Sequence, residues 1–205
     1  MDGPQDVPAI AFASAEAWRA WLDHHHTEAR GVWLKIAKQG GDRASLTYDQ
    51  ALEAALCYGW IDGQKGRFDE HHWLQRFTPR RPRSKWSAAN RERAEALVER
   101  GRMRPAGLRE IERAKADGRW QAAYAGQRSA AVPEDLRLAL DAKPDAAAFF
   151  ATLDRANRYA ILYRIADAKR PETRTRRIET FVEMLARHET VHPAKASAAA
   201  TAADP

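Results

Sequence analysis

Alternating apolar residues occur only in the first half of this 205-residue chain. Val32, Leu34 and Ile36 alternate with other residues, and residues 73–78 alternate again, so each stretch predicts a half-buried strand. Beyond Gly101, apolar residues recur every three or four positions, which is the period of amphipathic helices. The sequence therefore predicts an α+β fold that is mostly helical. It has a small mixed α/β N-terminal part with a short sheet and an all-helical C-terminal part.

The clearest helix of the first half begins after Thr47. Thr47 and Gln50 have the spacing of a capping box, and apolar residues follow at helical spacing as far as Gly59, which suits a C-terminal cap. The Asp-Gly pair at 62–63 and the Lys-Gly pair at 65–66 predict turns ahead of the second strand. The mixed part is therefore expected to contain two short strands.

Composition divides the chain into four predicted segments. They are a flexible N-terminus (1–13), a mixed α/β part with an Arg/Trp-rich segment (14–125), a helical part (126–192) and a disordered tail (193–205). The tail is predicted to be disordered because AKASAAATAADP has low complexity and no bulky apolar side chain.

Charge and cysteine content limit the classes of partner and compartment. The net charge of +6 and the isoelectric point near 9.7 favour phosphates, nucleic acid, anionic surfaces and acidic ligands. The single cysteine, Cys57, excludes an intramolecular disulfide, so the reducing cytosol is the expected compartment. The sequence contains neither a secretory signal pattern nor a run of 18 apolar residues, so we predict a cytoplasmic protein without a transmembrane segment.

Aromatic and cationic residues alternate between Cys57 and Asn90, which we call the Arg/Trp-rich segment. Guanidinium groups are planar and match phosphate or carboxylate, while Pro79 and Pro82 limit the freedom lost on binding. Serine hydroxyls and free N–H groups at the start of the next helix complete the predicted anion site. The predicted ligand-binding residues are Trp60, Asp62, Arg67, Arg76, Arg80, Arg81, Arg83, Ser84, Trp86, Ser87, Asn90, Arg174 and Arg177. Alternatively, these arginines are solvated or paired with carboxylates.

Asp62 is the candidate catalytic residue, because it follows a long apolar helix and precedes a glycine. It either forms a structural ion pair with Arg67 or Arg76, or faces a cleft as a general base. Cys57 lies among apolar residues, which is typical of an inert buried thiol. The consecutive histidines at 24–26 and 71–72 point in different directions, so we predict neither a metal nor a cofactor.

Five motifs resemble one known family. They are CYGWIDG, RFTPRRPRSKWSAANR, GRMRPAG, AKADGRW and AKRPETRTRRIE, in that order. With them, the chain from about Trp18 to Glu189 resembles the YdeI/OmdA family, named for bacteriocin protection or OmpD association. The resemblance implies a two-part protein whose helical back carries AKRPETR, and it suggests tolerance of envelope-directed peptides. Because the sequence offers no signal or anchor, we do not extend a periplasmic location to it.

Three functions follow from these observations. The first is a small cytosolic binding or stress-protection module that holds an anionic small molecule or protein partner at the Arg/Trp-rich surface. The second is an enzyme that acts on a phosphate- or carboxylate-bearing small molecule with Asp62 as base. The third, which we do not favour, is a nonspecific nucleic-acid binder, because no recognisable nucleic-acid motif is present. The sequence leaves the ligand and the oligomeric state open.

Overall fold

The chain divides into two compact units. The computed structural model describes residues 7–38 and 46–193, and the units are Met1–Ala123 (unit 1) and Tyr124–Pro205 (unit 2). The tail 194–205 and the first six residues of the predicted flexible N-terminus lie outside the described residues. The fold class is α+β with a helical C-terminal half, as predicted.

In the residues that the structure describes, unit 1 combines a four-stranded sheet with four helices. Its elements are β1 (Ala9–Ile10), α1 (Ala15–His25), β2 (Val32–Ala37), α2 (Tyr48–Cys57), β3 (Trp60–Arg67), β4 (His72–Pro79), α3 (Ala88–Glu99) and α4 (Pro105–Ala116). The strand order is β1-β2-β4-β3; β1 runs parallel to β2, and the other neighbours are antiparallel. The main buried side chains of unit 1 are Trp18, Leu22, Val32, Leu34, Leu52, Leu56, Trp60, Phe77 and Leu97.

The capping box at the start of α2 is confirmed. The Thr47 hydroxyl accepts a hydrogen bond from the Gln50 N–H at 3.3 Å, and the Gln50 side chain accepts one from the Thr47 N–H at 3.0 Å. Gly59 then leaves the helix with φ of +73°, a left-handed conformation that favours glycine. The chain turns there directly into β3.

The predicted turns at 62–63 and 65–66 are wrong, because both pairs lie inside β3. The strand contains a bulge between Asp62 and Lys65, where one extra residue on β3 lengthens it relative to β4. The buried Gln75 side chain donates to the Gly63 and Gln64 carbonyls at 3.0 and 3.3 Å, so it satisfies backbone groups that the bulge leaves unpaired. The Asp-Gly pair therefore marks a bulge in this chain.

The hairpin turn between β3 and β4 forms around Asp69. One carboxylate oxygen of Asp69 accepts hydrogen bonds from the N–H groups of His71 and His72 at 2.8 and 2.6 Å. Aspartate commonly stabilises turns in this way, by bonding the backbone two or three residues ahead. At the opposite edge of the sheet, Ala9 and Ile10 form β1 and pair with Trp33 and Leu34. These residues had been predicted to belong to a flexible N-terminus.

The described part of unit 2, residues 124–193, contains four helices around a core of its own. They are α5 (Glu134–Asp141), α6 (Pro144–Thr152), α7 (Arg155–Ala166) and α8 (Pro171–Ala186). The buried apolar side chains between them are Leu136, Leu140, Ala146, Phe150, Ile161, Leu162, Ile165, Ile178, Val182 and Leu185. Across both described ranges, no helix has the length and apolar character needed to cross a membrane.

Candidate anion-binding site

The Arg/Trp-rich segment runs from the end of α2 through the β3–β4 hairpin to the start of α3. Between Glu70 and Glu92 the sequence has no acidic residue. The cationic residues of that range are Arg76, Arg80, Arg81, Arg83, Lys85 and Arg91. Local charge is therefore strongly positive in this part of unit 1, which favours anions.

Arg80 belongs to the interior of unit 1. It is 6% exposed, and its guanidinium lies 3.5 Å from the centroid of the Trp86 ring. Its Nη1 donates to the Lys85 carbonyl at 3.1 Å. Trp86 is also buried and packs edge-on against Trp120, with ring centroids 4.8 Å apart. The arginine and both rings therefore form a packed base, and neither Arg80 nor Trp86 offers a free face to a ligand.

The next residues form a turn that exposes two arginines. The Arg81 N–H donates to the Ser84 hydroxyl, and the Ser84 N–H donates to the Arg81 carbonyl, both at 2.9 Å. The side chains of Arg81 and Arg83 are exposed on this turn, and neither forms an ion pair within the described ranges. Pro82 restricts the backbone between them. We call Arg81–Ser84 the arginine turn.

Arg119, which was not among the predicted site residues, holds the arginine turn in place. Arg119 Nη1 donates to the Ser84 carbonyl at 2.8 Å, while the rest of its guanidinium pairs with Asp117. This bidentate pair is the chief cause of the lowered pKa of Asp117. Arg119 lies in the AKADGRW motif, 35 positions from Ser84. Only its proximity to Asp117 could have been noticed from the sequence.

Helix α3 begins at Ala88, four residues after Ser84 of the arginine turn. The Ser87 hydroxyl accepts the Asn90 N–H at 3.1 Å, so these two predicted ligand-binding residues form the helix cap. The first turn of α3 contains no acidic side chain. Its free N–H groups therefore add to the positive field beside the arginines.

Trp60 does not contribute to a ligand surface. Its side chain is 1% exposed, and its Nε1 donates to the His26 carbonyl at 3.1 Å. The ring also packs edge-on against Trp18 and Trp21, with centroids 6.3 and 5.9 Å away. We therefore assign Trp60 to the core of unit 1 and remove it from the site.

Asp62 forms neither of the ion pairs considered from the sequence. Its carboxylate accepts a hydrogen bond from the Tyr48 hydroxyl at 2.8 Å. Asp62 pairs with Phe77 across the hairpin, so the adjacent Arg76 points to the opposite face of the sheet and instead lies 3.5 Å from Gln64. Arg67 is exposed at the far end of β3. The Tyr48–Asp62 bond links the first residue of α2 to β3.

The hydrogen bond between Tyr48 and Asp62 should make the stability of unit 1 depend on pH. Burial, followed by the negative charge of Asp62, raises the pKa of Tyr48 above its usual value. Below about pH 10 tyrosine is neutral in both folded and unfolded chains. The Tyr48–Asp62 hydrogen bond therefore contributes fully to the free energy of unfolding in that range. At higher pH the unfolded tyrosine ionises first, and stability falls by up to about 1.4 kcal/mol per pH unit for this one group.

We therefore expect Tyr48→Phe to make the alkaline loss of stability shallower, while costing about 1 kcal/mol at pH 7 through the lost hydrogen bond. Urea denaturation of unit 1 at half-unit steps from pH 8.5 to 11.5 would measure both effects. The control is Tyr124→Phe, a tyrosine of unit 2. An alkaline slope that is identical in wild type and Tyr48→Phe would contradict the prediction.

Arg174 and Arg177 bind groups within unit 2. Arg174 forms two hydrogen bonds with the Asp135 carboxylate at 2.6 and 2.9 Å and a third with the Ile165 carbonyl at 3.1 Å. Arg177 donates to the Arg164 carbonyl. Both arginines therefore tie α8 to the neighbouring helices, and we remove them from the anion site.

Cys57 is buried, and the three consecutive histidines contact backbone carbonyls. Burial is the main cause of the raised pKa of the Cys57 thiol, so the thiolate is disfavoured. The Nδ1 atoms of His24, His25 and His26 each lie 2.8 Å from a carbonyl of their own helix. In the part of the chain that the structure describes, no three His, Cys, Asp or Glu side chains are arranged to hold a metal ion.

Comparison with known families separates the two halves of the chain. Residues 10–110 match the model of a domain of unknown function, DUF8412. Residues 129–188 match the family described as Bacteriocin-protection, YdeI or OmpD-Associated, which confirms the resemblance for that part of the chain. No similar protein was found among curated proteins, and no solved structure was found to be similar.

The confirmed match is shorter than the resemblance stated from the motifs. It includes AKRPETR, which leads into α8, and all four helices described for unit 2. Three of the five motifs, namely CYGWIDG, RFTPRRPRSKWSAANR and GRMRPAG, lie instead within the range of the first family model. The match to the OmdA family is therefore limited to the helical segment. It gives no information on the function of unit 1.

Proposed function

We propose that this protein is a cytosolic protection module that holds an anionic ligand or partner at the arginine turn of unit 1. One observation supports this most strongly. Arg81 and Arg83 are exposed and, among the described residues, form no ion pair, yet the backbone between them is fixed by Ser84 and Pro82. The family that matches unit 2 is described by bacteriocin protection, which supports a protective role.

The chemistry of the turn favours a carboxylate or a phosphate. Guanidinium groups donate two parallel hydrogen bonds to such groups, and these charge-assisted bonds are about twice as strong as neutral ones. Because Pro82 and the two Ser84 bonds restrict the turn before binding, less conformational entropy is lost when a ligand arrives. Partners that offer a single carboxylate or phosphate, on a peptide or a small molecule, meet these requirements.

The geometry at Asp62 does not favour the enzyme hypothesis. One oxygen of the Asp62 carboxylate, Oδ2, already accepts the Tyr48 hydroxyl within unit 1 before any substrate arrives. This contact supports a role in positioning β3 against α2. We therefore assign the proposed function to the exposed arginines, Arg81 and Arg83.

The test is binding of a panel of anions before and after removal of the two exposed arginines. Nucleotides, sugar phosphates, dicarboxylates, short acidic peptides and a single-stranded oligonucleotide would be titrated while tryptophan fluorescence is recorded. All seven tryptophans lie in unit 1, so the signal reports on that unit. We expect Arg81→Ala with Arg83→Ala to weaken binding of the preferred anion by at least about tenfold, because two charge-assisted contacts are lost.

The matched control removes two other arginines of unit 1. Arg100 and Arg109 are exposed and form no ion pair in the described ranges, so Arg100→Ala with Arg109→Ala lowers the net charge equally. We expect this control to change affinity by less than about twofold. Equal losses in both double variants would instead indicate nonspecific attraction, as for an oligonucleotide, and unchanged affinity in the Arg81/Arg83 variant would remove the proposed site.

A further inference from the structure

Unit 2 contains an open groove of about 440 Å³ that the arginine turn does not explain. Most of its lining comes from one face of α7, through Ala156, Tyr159, Ala160, Tyr163 and Arg164. These positions follow the i, i+3, i+4, i+7, i+8 spacing of a helix face. A face of this kind normally packs into a core, but here it lines a cavity of the size that holds small molecules.

Small and large side chains alternate along the part of α7 that lines the groove. Ala156 and Ala160 line the groove together with Tyr159 and Tyr163, whose ring centroids lie 5.8 Å apart with the ring planes tilted by 44°. Tyr124 packs edge-on against Tyr163 at 5.2 Å. The Tyr159 hydroxyl donates to the Ala125 carbonyl at 3.1 Å, which fixes the segment that contributes Gln127 to the groove.

The opposite wall is held by a buried polar side chain. Asn157 is 3% exposed, and its side-chain oxygen accepts the His192 N–H at 2.8 Å. This bond places His192 at the groove, although it follows the end of α8. A buried amide oxygen costs free energy unless it accepts a hydrogen bond, and here the His192 N–H supplies one. The wall is therefore part of the folded structure of unit 2.

The charges of the groove select the class of ligand. Among the described residues, its lining includes the permanently charged Arg164 and no carboxylate. Arg164 is exposed and forms no ion pair in the part of the chain that the structure describes. Tyrosine rings offer flat apolar surfaces on which planar groups stack. A ring with a negative substituent matches both features, whereas a cation would be repelled by Arg164.

We propose that this groove binds a small molecule that has a planar aromatic ring and a carboxylate or phosphate group. The ring lies on Ala156 and Ala160 beside the two tyrosines, and the anionic group contacts Arg164. This site is in unit 2 and does not depend on the arginine turn. A failure of either proposal therefore leaves the other standing.

The test is a titration of the isotope-labelled full chain with four probes, followed by amide NMR. The probes are 2-naphthoate and 2-naphthyl phosphate, the neutral 2-naphthamide, and the non-aromatic anion cyclohexanecarboxylate. We expect the two charged naphthyl probes to shift the amides of α7 around Ala160, with Kd on the order of 1 mM for ligands of this size. The neutral and the non-aromatic probes are expected to bind several-fold more weakly. The stronger of the two charged probes identifies the preferred anionic group.

Two matched variants separate recognition from general charge. Arg164→Gln is expected to weaken naphthoate binding about tenfold and naphthamide binding hardly at all. Arg176→Gln, an exposed arginine of α8 without an ion pair among the described residues, is the control and should change neither. Ala156→Trp, at an exposed position on the groove edge, should block both ligands. Shifts that map outside α7, no shifts at 10-fold excess over this Kd, or equal effects of the two arginine variants would overturn the proposal.

Discussion

Gly107→Ala is expected to destabilise unit 1 by about 3 kcal/mol, which is severe for a single added methyl group. Gly107 lies in α4, where this helix meets the end of α2. An added Cβ would lie 2.4 Å from the Cys57 carbonyl oxygen, 2.8 Å from the Leu56 carbonyl oxygen and 2.5 Å from the Met103 sulfur. The sulfur can rotate away, but the two carbonyls belong to the helix backbone. The helices must therefore separate.

Tryptophan fluorescence during urea denaturation would measure this effect, because every tryptophan lies in unit 1. We expect the thermal midpoint to fall by about 10 °C as well. The control is Gly63→Ala, where the new Cβ would make only ordinary contacts with Arg76, at 3.8 and 4.0 Å. Its cost should stay near 1 kcal/mol or less. Equal stabilities of the two variants would mean that α4 does not approach α2 this closely.

The sequence predicted α4 as a helix but could not predict this approach. Helix ends and faces follow from local chemistry, so the cap at Thr47 and the fold class were predictable. A close helix crossing depends on residues 50 positions apart, which local periodicity does not contain. The strand β3 was missed for the same reason. Its Asp-Gly pair favours a turn locally, whereas pairing with β4 and the Gln75 bonds stabilise a bulge there.

The anion site shows the same division between local and long-range information. The arginine content and the start of a helix after the arginines were evident from the sequence. Spacing alone could not distinguish the buried Arg80 from the exposed Arg81, since the two are neighbours with identical chemistry. The difference arises because the Arg80 N–H donates to the Gly59 carbonyl at 3.0 Å and its side chain turns onto Trp86. Tertiary contacts therefore determine which arginines are exposed and can bind an anion.

Arg80→Ala is expected to destabilise unit 1 by about 3 kcal/mol and so to reduce any ligand binding indirectly. The substitution removes the stacking of a desolvated guanidinium on Trp86, worth about 2 kcal/mol, and the hydrogen bond to the Lys85 carbonyl. It also leaves a cavity beside the Trp86–Trp120 pair. Urea denaturation followed by tryptophan fluorescence would measure the loss, and near-UV circular dichroism would report the altered tryptophan packing.

Two variants make this prediction decisive. Arg81→Ala removes the same side chain one residue later, from an exposed position, and should change the free energy of unfolding by less than about 0.5 kcal/mol. Arg80→Met keeps most of the apolar stem against Trp86 but loses the charge and its hydrogen bonds, so it should fall between wild type and Arg80→Ala. If Arg80→Ala is as stable as Arg81→Ala, then Arg80 is not part of the packed base. Arg80 would then have to be considered again as a ligand contact, because its guanidinium would be free to leave the Trp86 ring.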